Sequence, residues 1–300
     1  MNLPGGWVGE EFGPSHRELP RKGAALPPAH EGTTEPSTGR TGARLRVRYA
    51  KRGRMRFASH RDIARALERA LRRAEVPVAF SAGFTPHPKI SYVNAAPTGV
   101  ASEAEYFEIT LAEPAEPDAV RVRLDSALPD GLDVVEVVEA MPGGLADRLE
   151  ASEWTVELPG VAPDDAAEAV AAFMAADTVE VERLTKKGRR RFDARAAVRY
   201  LRVDGRATGV RHETYAILRM VVRHTTPAVR PDDVVNGLRQ VADLAPLSSP
   251  VMTRLAQGPL DDTSDTIADP LAAADAQADP VGRAQPAPPP SSPARSASDA

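Results

Sequence analysis

The stretch RLRVRYAKRGRMRFASHRDIARALERALRRA, residues 44–74, changes its hydrophobic period partway through, and that change decides the fold. From 44 to 49 apolar and basic residues alternate, with Leu45, Val47 and Tyr49 on one side and Arg44, Arg46 and Arg48 on the other. This is a strand with one buried face. After a basic connection Ser59 opens a helix, its hydroxyl placed to cap the first turn and Asp62 standing three residues on in the capping-box position. Ile63, Leu67, Ala70, Leu71 and Ala74 then fall on one helical face, Arg61, Arg65, Arg69 and Arg72 form a stripe elsewhere, and Pro77 ends the helix.

Working outward, a short strand near 78–81 and an extended segment at 88–93 precede an alternating strand at 104–111. A helix at 117–127 and a strand at 132–139 complete a βαββαβ order, the signature of a ferredoxin-like unit. A similar order follows: a strand at 153–158, a helix at 163–176, extended segments near 178–184 and 197–203, a strand at 213–223, a helix beginning near Pro231 and a strand at 250–255. The expected fold is α+β: two ferredoxin-like βαββαβ-type halves, 43–142 and 151–258, the second with a basic hairpin inserted. Residues 1–42 and the Pro/Ala/Ser-rich segment 259–300 lack apolar periodicity and are expected to be disordered tails.

Composition narrows the function. The net charge is -4 and the chain has no cysteine, which excludes disulfides, thiolate nucleophiles, thiolate metal sites and a cysteine-ligated iron–sulfur cluster. With no apolar span or signal core visible, a cytoplasmic protein without membrane association is expected. The overall charge hides an asymmetry: residues 44–89 hold thirteen basic and three acidic residues, a local surplus of ten. Lys186, Lys187, Arg189 and Arg190 form a second basic island in KKGRRR.

The run FSAGFTPHPKISY, residues 80–92, stiffens a loop around one histidine. Gly83 permits backbone angles other residues avoid, and Pro86 and Pro88 fix two torsions on either side of His87. One reading has His87 and Lys89 meeting an anion with Phe84 as a platform. The plainer one, preferred for Phe84, packs that ring into the core. His60 stands at a helix start, where amides favour anions.

The run from Arg54 to Tyr92, with its S-H-x-D and G-F-x-P-H-P motifs, followed by PTGVASEAEYFEI, resembles the radical-SAM-linked family of uncharacterised domains. In that family the domain stands alone, the form expected here, or is joined to the end of a radical SAM protein. The matching positions are Ser59, His60, Asp62, Arg69, Arg73, Pro77, Ser81, Gly83, Phe84, Pro86, His87, Pro88, Lys89, Pro97, Gly99, Ser102 and Glu105, within a likeness spanning roughly 44–240. The resemblance implies a radical SAM protein as partner. Without cysteines this chain does not hold the cluster that such chemistry needs, and no cofactor of its own is expected.

The sequence therefore points to an accessory module that binds RNA or another polyanion. Ser59, His60, Arg69, Arg73, Gly83, Phe84, His87 and Lys89 are expected to line an anion site. Arg44, Arg46, Arg48, Arg65, Arg72, Lys186, Lys187, Arg189 and Arg190 are expected to contact nucleic acid. Tyr106 is the one aromatic residue expected on the open sheet face. Two alternatives stand beside this. In one, His60 and His87 are the acid–base pair of an enzyme acting on RNA or a phosphorylated substrate. In the other, the basic face meets an acidic protein. No metal is expected; the set His60, Asp62 and His87 is the one combination with suitable ligands.

Overall fold

A computed structural model describes residues 42–185, 188–208 and 214–272; within it the side chains of 206–208 and 214 are not described. In chain order the elements are β1 (Arg44–Lys51), α1 (His60–Arg73), β2 (Ile90–Val93), β3 (Ala101–Thr110), α2 (Pro117–Ala127) and β4 (Leu132–Glu139). There follow β5 (Ala151–Leu158), α3 (Pro163–Ala175), β6 (Glu180–Thr185), β7 (Gly188–Asp193), β8 (Val198–Thr208) and β9 (Thr214–Arg223). The last are α4 (Pro231–Ala242), β10 (Val251–Gly258), β11 (Leu260–Asp261) and β12 (Thr266–Ile267). The class is mixed α+β.

Eight strands form one mixed sheet in the order β4-β1-β3-β10-β5-β9-β8, with β2 paired to β3 beside β10. Strands β4-β1-β3-β2 come from the first half of the chain and β10-β5-β9-β8 from the second. The halves join where β3 and β10 run parallel, through only two register pairs, Thr253 with Ala101 and Arg254 with Ser102. The hairpin β6–β7 forms a separate two-stranded sheet.

The alternation in β1 fulfils its promise on one face. Leu45, Val47 and Tyr49 are buried with Phe107 and Ile109 of β3, under Leu67 and Leu71 of α1 and Leu124 of α2. A second cluster builds around Val156, Phe173, Leu218, Met220, Val234 and Leu238. At the head of α1, Ser59 Oγ accepts from the Asp62 amide at 3.3 Å, as an N-cap does, and donates to Asp62 Oδ2 at 2.6 Å.

The opposite face of the first half departs from expectation, because it is covered. Arg46 is 0% exposed. Its Nε donates to Glu108 at 2.9 Å and its Nη2 to the carbonyls of Met141 and Gly143, so the segment after β4 folds over it. Tyr106, expected as a stacking surface, is buried as well. Its hydroxyl pKa is pushed up, chiefly by that burial, with Asp269 among the nearby charges.

The segment expected as a tail from 259 is also partly folded. Strands β11 and β12 pair, and Arg199 and Arg223 reach its Asp262 and Asp265. Those opposite charges hold a segment that hydrophobic periodicity could not flag. Residues 1–41 and 273–300, which make up the rest of the expected tails, lie outside the described residues. The short strand expected at 78–81 is reduced to two bridges, Val78 with Leu111 and Phe80 with Pro88.

The turn into β4 shows how closely the chain is set beside the end of β1. Gly131 has φ +86, its carbonyl accepts from the Arg52 amide at 2.8 Å, and an added Cβ would lie 2.8 Å from the Arg52 carbonyl oxygen. Gly131→Ala will therefore lose about 1–3 kcal/mol in urea unfolding; an unchanged midpoint would show that the turn relaxes freely.

Candidate functional site

The helix start and the histidine loop do not share a mouth. The approach to α1 is tied to the C-terminal end of β1, through the Arg52–Gly131 bond and a Gly99 amide donating to Arg56 O at 2.7 Å. The loop 79–89 hangs from the other end. The Ala79 amide donates to Thr110 O at 2.7 Å, and Thr110 pairs with Arg44, the first residue of β1. Strand β1 has eight residues, about 26 Å of rise. His60 and His87 stand at opposite ends of it, which removes the geometric basis for an acid–base pair. Among the described residues no three metal-ligating groups converge, so His60, Asp62 and His87 are not assembled into a metal site.

The loop itself is a short hairpin. The Ser81 amide donates to His87 O at 2.8 Å, the His87 amide to Ser81 Oγ at 3.0 Å, and the Lys89 amide to Ala79 O at 2.8 Å. At its tip Gly83 has φ +132 with open space around it. Phe84 is 107% exposed and packs in no core, contrary to the preferred expectation. The hydrogen bonds close the hairpin below the tip, so the ring has no core within reach. His87 and Lys89 are exposed too. Lys89 lines a shallow groove with Arg44, Ser91 and Glu108.

The basic residues divide sharply. Arg46 is buried and bonded as described, with its Nη1 left without a partner among the described residues. Arg48 Nε donates to Glu103 O at 3.0 Å, and Arg52 is paired with Glu103 and Asp133. Lys51 is buried with its Nζ on the carbonyls of Ala96 and Pro97, and burial pushes its pKa down. In the β6–β7 hairpin Arg189 pairs with Glu182 at 3.2 Å, Arg190 is exposed, and Lys186 and Lys187 lie outside the described residues.

By contrast Arg61, Arg65, Arg69, Arg72 and Arg73 of α1 are all exposed. None makes an ion pair among the described residues; Arg73 donates to the Ala127 carbonyl at 3.3 Å, and Arg65 lies near enough to Asp62 to lower its pKa. Phe57, 60% exposed, precedes the helix with the Arg56 guanidinium 4.6 Å above its ring. The C-terminal end of α1, with Arg69 and Arg73, comes off the same end of β1 as the hairpin of Phe84, His87 and Lys89. Ser59 and His60 are at the far end.

At the seam between the halves lies a buried polar network. Glu105, 1% exposed, accepts from the Ala96 amide at 2.9 Å and from Arg254 Nη1 at 3.3 Å. Arg254 Nη1 also donates to Asn94 O at 2.7 Å, and its guanidinium lies 4.7 Å over Trp154. Gln257 joins Ala104 O to the Asn94 side chain. A cleft of about 150 Å³ opens here, lined by Asn94, Ser152, Trp154, His224, Arg230 and Arg254 among others.

His224 is fixed by its neighbours. A ring nitrogen facing a carbonyl must donate, so Nδ1–H goes to Leu149 O at 2.7 Å. The other nitrogen, Nε2, accepts from Ser152 Oγ at 2.7 Å. This has the sense of a hydroxyl beside a general base. Ser152 is nevertheless a wholly buried strand residue, so the bond orients the imidazole rather than activating a nucleophile.

Burial, with the Arg254 charge adding to it, lowers the His224 pKa below its usual 6.5, against the opposing Leu149 hydrogen bond. The unfolded chain then takes up this proton at higher pH than the folded one. The stability His224 contributes is complete above pH 6.5 and is lost as pH falls through the folded pKa. Urea midpoints of His224→Asn will accordingly fall less steeply than wild type on acidification below pH 6.5; parallel profiles would contradict this.

Sequence reasoning missed this seam, although a signal was present. Glu105 shares the inward parity of Phe107 and Ile109, and Arg254 shares that of Met252. Glu105 of the first half and Arg254 of the second thus each put a charge on a core-facing position, and the signs are opposite.

A family model described as an uncharacterized protein conserved in bacteria (DUF2344) matches residues 44–231, from the first residue of β1 to the first of α4. The chain belongs to this family. No curated protein matches it. Among solved structures, DyPB from Rhodococcus jostii RHA1 is 13% identical, with 76% of this chain and 96% of that chain covered and a TM-score of 0.18. A DypB variant in complex with manganese is 12% identical over the same shares, with a TM-score of 0.19. Likeness at that level carries nothing about fold or chemistry. Among the described residues no helix is long and apolar enough to cross a membrane.

Proposed function

We propose that this DUF2344 chain is an RNA-binding accessory module whose contact surface is α1 and the hairpin at its C-terminal end. One observation carries the reading: Arg61, Arg65, Arg69, Arg72 and Arg73 are exposed along a single helix with no ion pair among the described residues. The helix is 14 residues, about 20 Å, long enough to follow several backbone phosphates. Exposed aromatic rings flank it, with Phe57 before its start and Phe80, Phe84 and Tyr92 in and beside the hairpin. Rings of this kind stack on unpaired bases, and the surrounding cations track the backbone. His87 and Lys89 add polar groups at that end, and His60 and Ser59 at the other. Sequence-independent affinity with strong salt dependence is the expected behaviour. It is checked by titrating binding of a tRNA-sized RNA against potassium chloride; an affinity that salt leaves unchanged contradicts it.

The wider context rests on the resemblance carried by S-H-x-D and G-F-x-P-H-P. In this reading a separate radical SAM enzyme acts in the cytoplasm on RNA that this module presents. Each half is further read as a ferredoxin-like unit. The support is the recurrence of one strand order, β4-β1-β3-β2 and β10-β5-β9-β8, with two helices in each half.

A further inference from the structure

The cleft at the seam holds a buried arginine with unspent donors. Arg254 is 3% exposed, and Nη1 already serves both Asn94 O and Glu105 Oε1. Its Nε is buried without a partner, and Nη2 makes no hydrogen bond among the described residues. Nε–H and Nη2–H share one edge of the guanidinium. With that edge an arginine grips two oxygens of a carboxylate or phosphate at once. A buried donor without an acceptor costs free energy, which a ligand oxygen would recover.

We propose that this cleft binds the oxyanion group of a small ligand, a carboxylate or a phosphate, on the Nε/Nη2 edge of Arg254. The surroundings favour an anion and limit its size. No Asp or Glu lines the cleft among the described residues; Glu105 engages Arg254 through Nη1, away from the free edge. Arg230, just before α4, lines the wall and adds a cation; the start of that helix is already capped by Asp233, which accepts from the Arg230 amide at 2.8 Å. Ser152 and His224 are spent on each other and on Leu149, and the Asn94 amide lies against the ring at 3.3 Å from Nε2, so an Nε2 that accepts leaves the imidazole without a charge of its own. The face of Trp154, with Ala95, Pro97 and Val229, supplies apolar wall for the rest of the ligand. A space of about 150 Å³ takes a few heavy atoms and excludes a peptide or an oligonucleotide.

Thermal unfolding of the full chain in potassium phosphate and in potassium acetate, against potassium chloride at matched ionic strength, tests this. At least one of the two oxyanions should raise Tm above the chloride control by about 3–6 °C at roughly tenfold its Kd. The rise should vanish in Arg254→Lys, which keeps the charge facing Glu105 but lacks the fork. It should also vanish in Ala228→Trp, which fills the mouth from an exposed position. If Arg254→Lys fails to fold, Ala228→Trp decides alone. A Tm that neither oxyanion raises above chloride, or a rise that persists in Ala228→Trp, overturns the proposal. RNA binding by the same Ala228→Trp protein separates this site from α1: it should match wild type whichever way the anion result falls.

Discussion

Glu105→Ala will lose about 3–5 kcal/mol in urea unfolding. The carboxylate is 1% exposed and sits between two buried cations, Arg254 and Lys51. It also takes the Ala96 amide. Removing it leaves a guanidinium under Trp154 with no counter-charge, and an ammonium that burial already disfavours. Glu105→Gln keeps the hydrogen-bonding shape without the charge and should fall between alanine and wild type. Location adds a second signature. Only two parallel register pairs join β3 to β10, so the network carries much of the coupling between the halves. The weakened protein should unfold over a broader range or in two steps, where wild type unfolds in one. A loss below about 1 kcal/mol would mean that water reaches and solvates this pair.

Arg65→Glu combined with Arg69→Glu will lower the slope of log affinity against log salt for RNA by about 2, roughly one unit per phosphate contact removed. Both side chains are exposed and make no ion pair among the described residues, so fold stability should move by no more than about 0.5 kcal/mol. That separation is what makes the variant informative. A binding loss with an unchanged urea midpoint locates the contact on α1. The equivalent change at Arg46 would confuse the two, because Arg46 holds Glu108 and the carbonyls of Met141 and Gly143 in place. An unchanged slope would move the polyanion surface away from α1.

Much of the fold was legible in the sequence because its strands and helices follow simple periods. Leu45, Val47 and Tyr49 announced the buried face of β1, and Ser59 with Asp62 announced the start of α1. What escaped depended on segments meeting from afar. Arg46 reads as an outward cation until residues 141–143 fold across it. Tyr106 reads as an open-face ring until its face of the sheet is covered. Asp262 and Asp265 read as part of a tail until Arg199 and Arg223 hold them. The expected anion site suffered from the same blindness to distance. Its members are exposed, Phe84 against the preferred expectation, but α1 sets Ser59 and His60 about 20 Å from the end that carries Arg73. The seam of Glu105 and Arg254 spans 149 residues. No local pattern pairs them, although each was readable as a charge on an inward position.

The most direct test is to map where RNA touches the protein. Ultraviolet crosslinking of bound RNA, followed by identification of the modified peptides, should place the contacts on residues 56–73 and 80–92, which hold Phe57, the α1 arginines and the exposed hairpin rings. Crosslinks confined to the β6–β7 hairpin, or a protein that retains no RNA at physiological salt, would contradict the assignment of α1 as the polyanion surface.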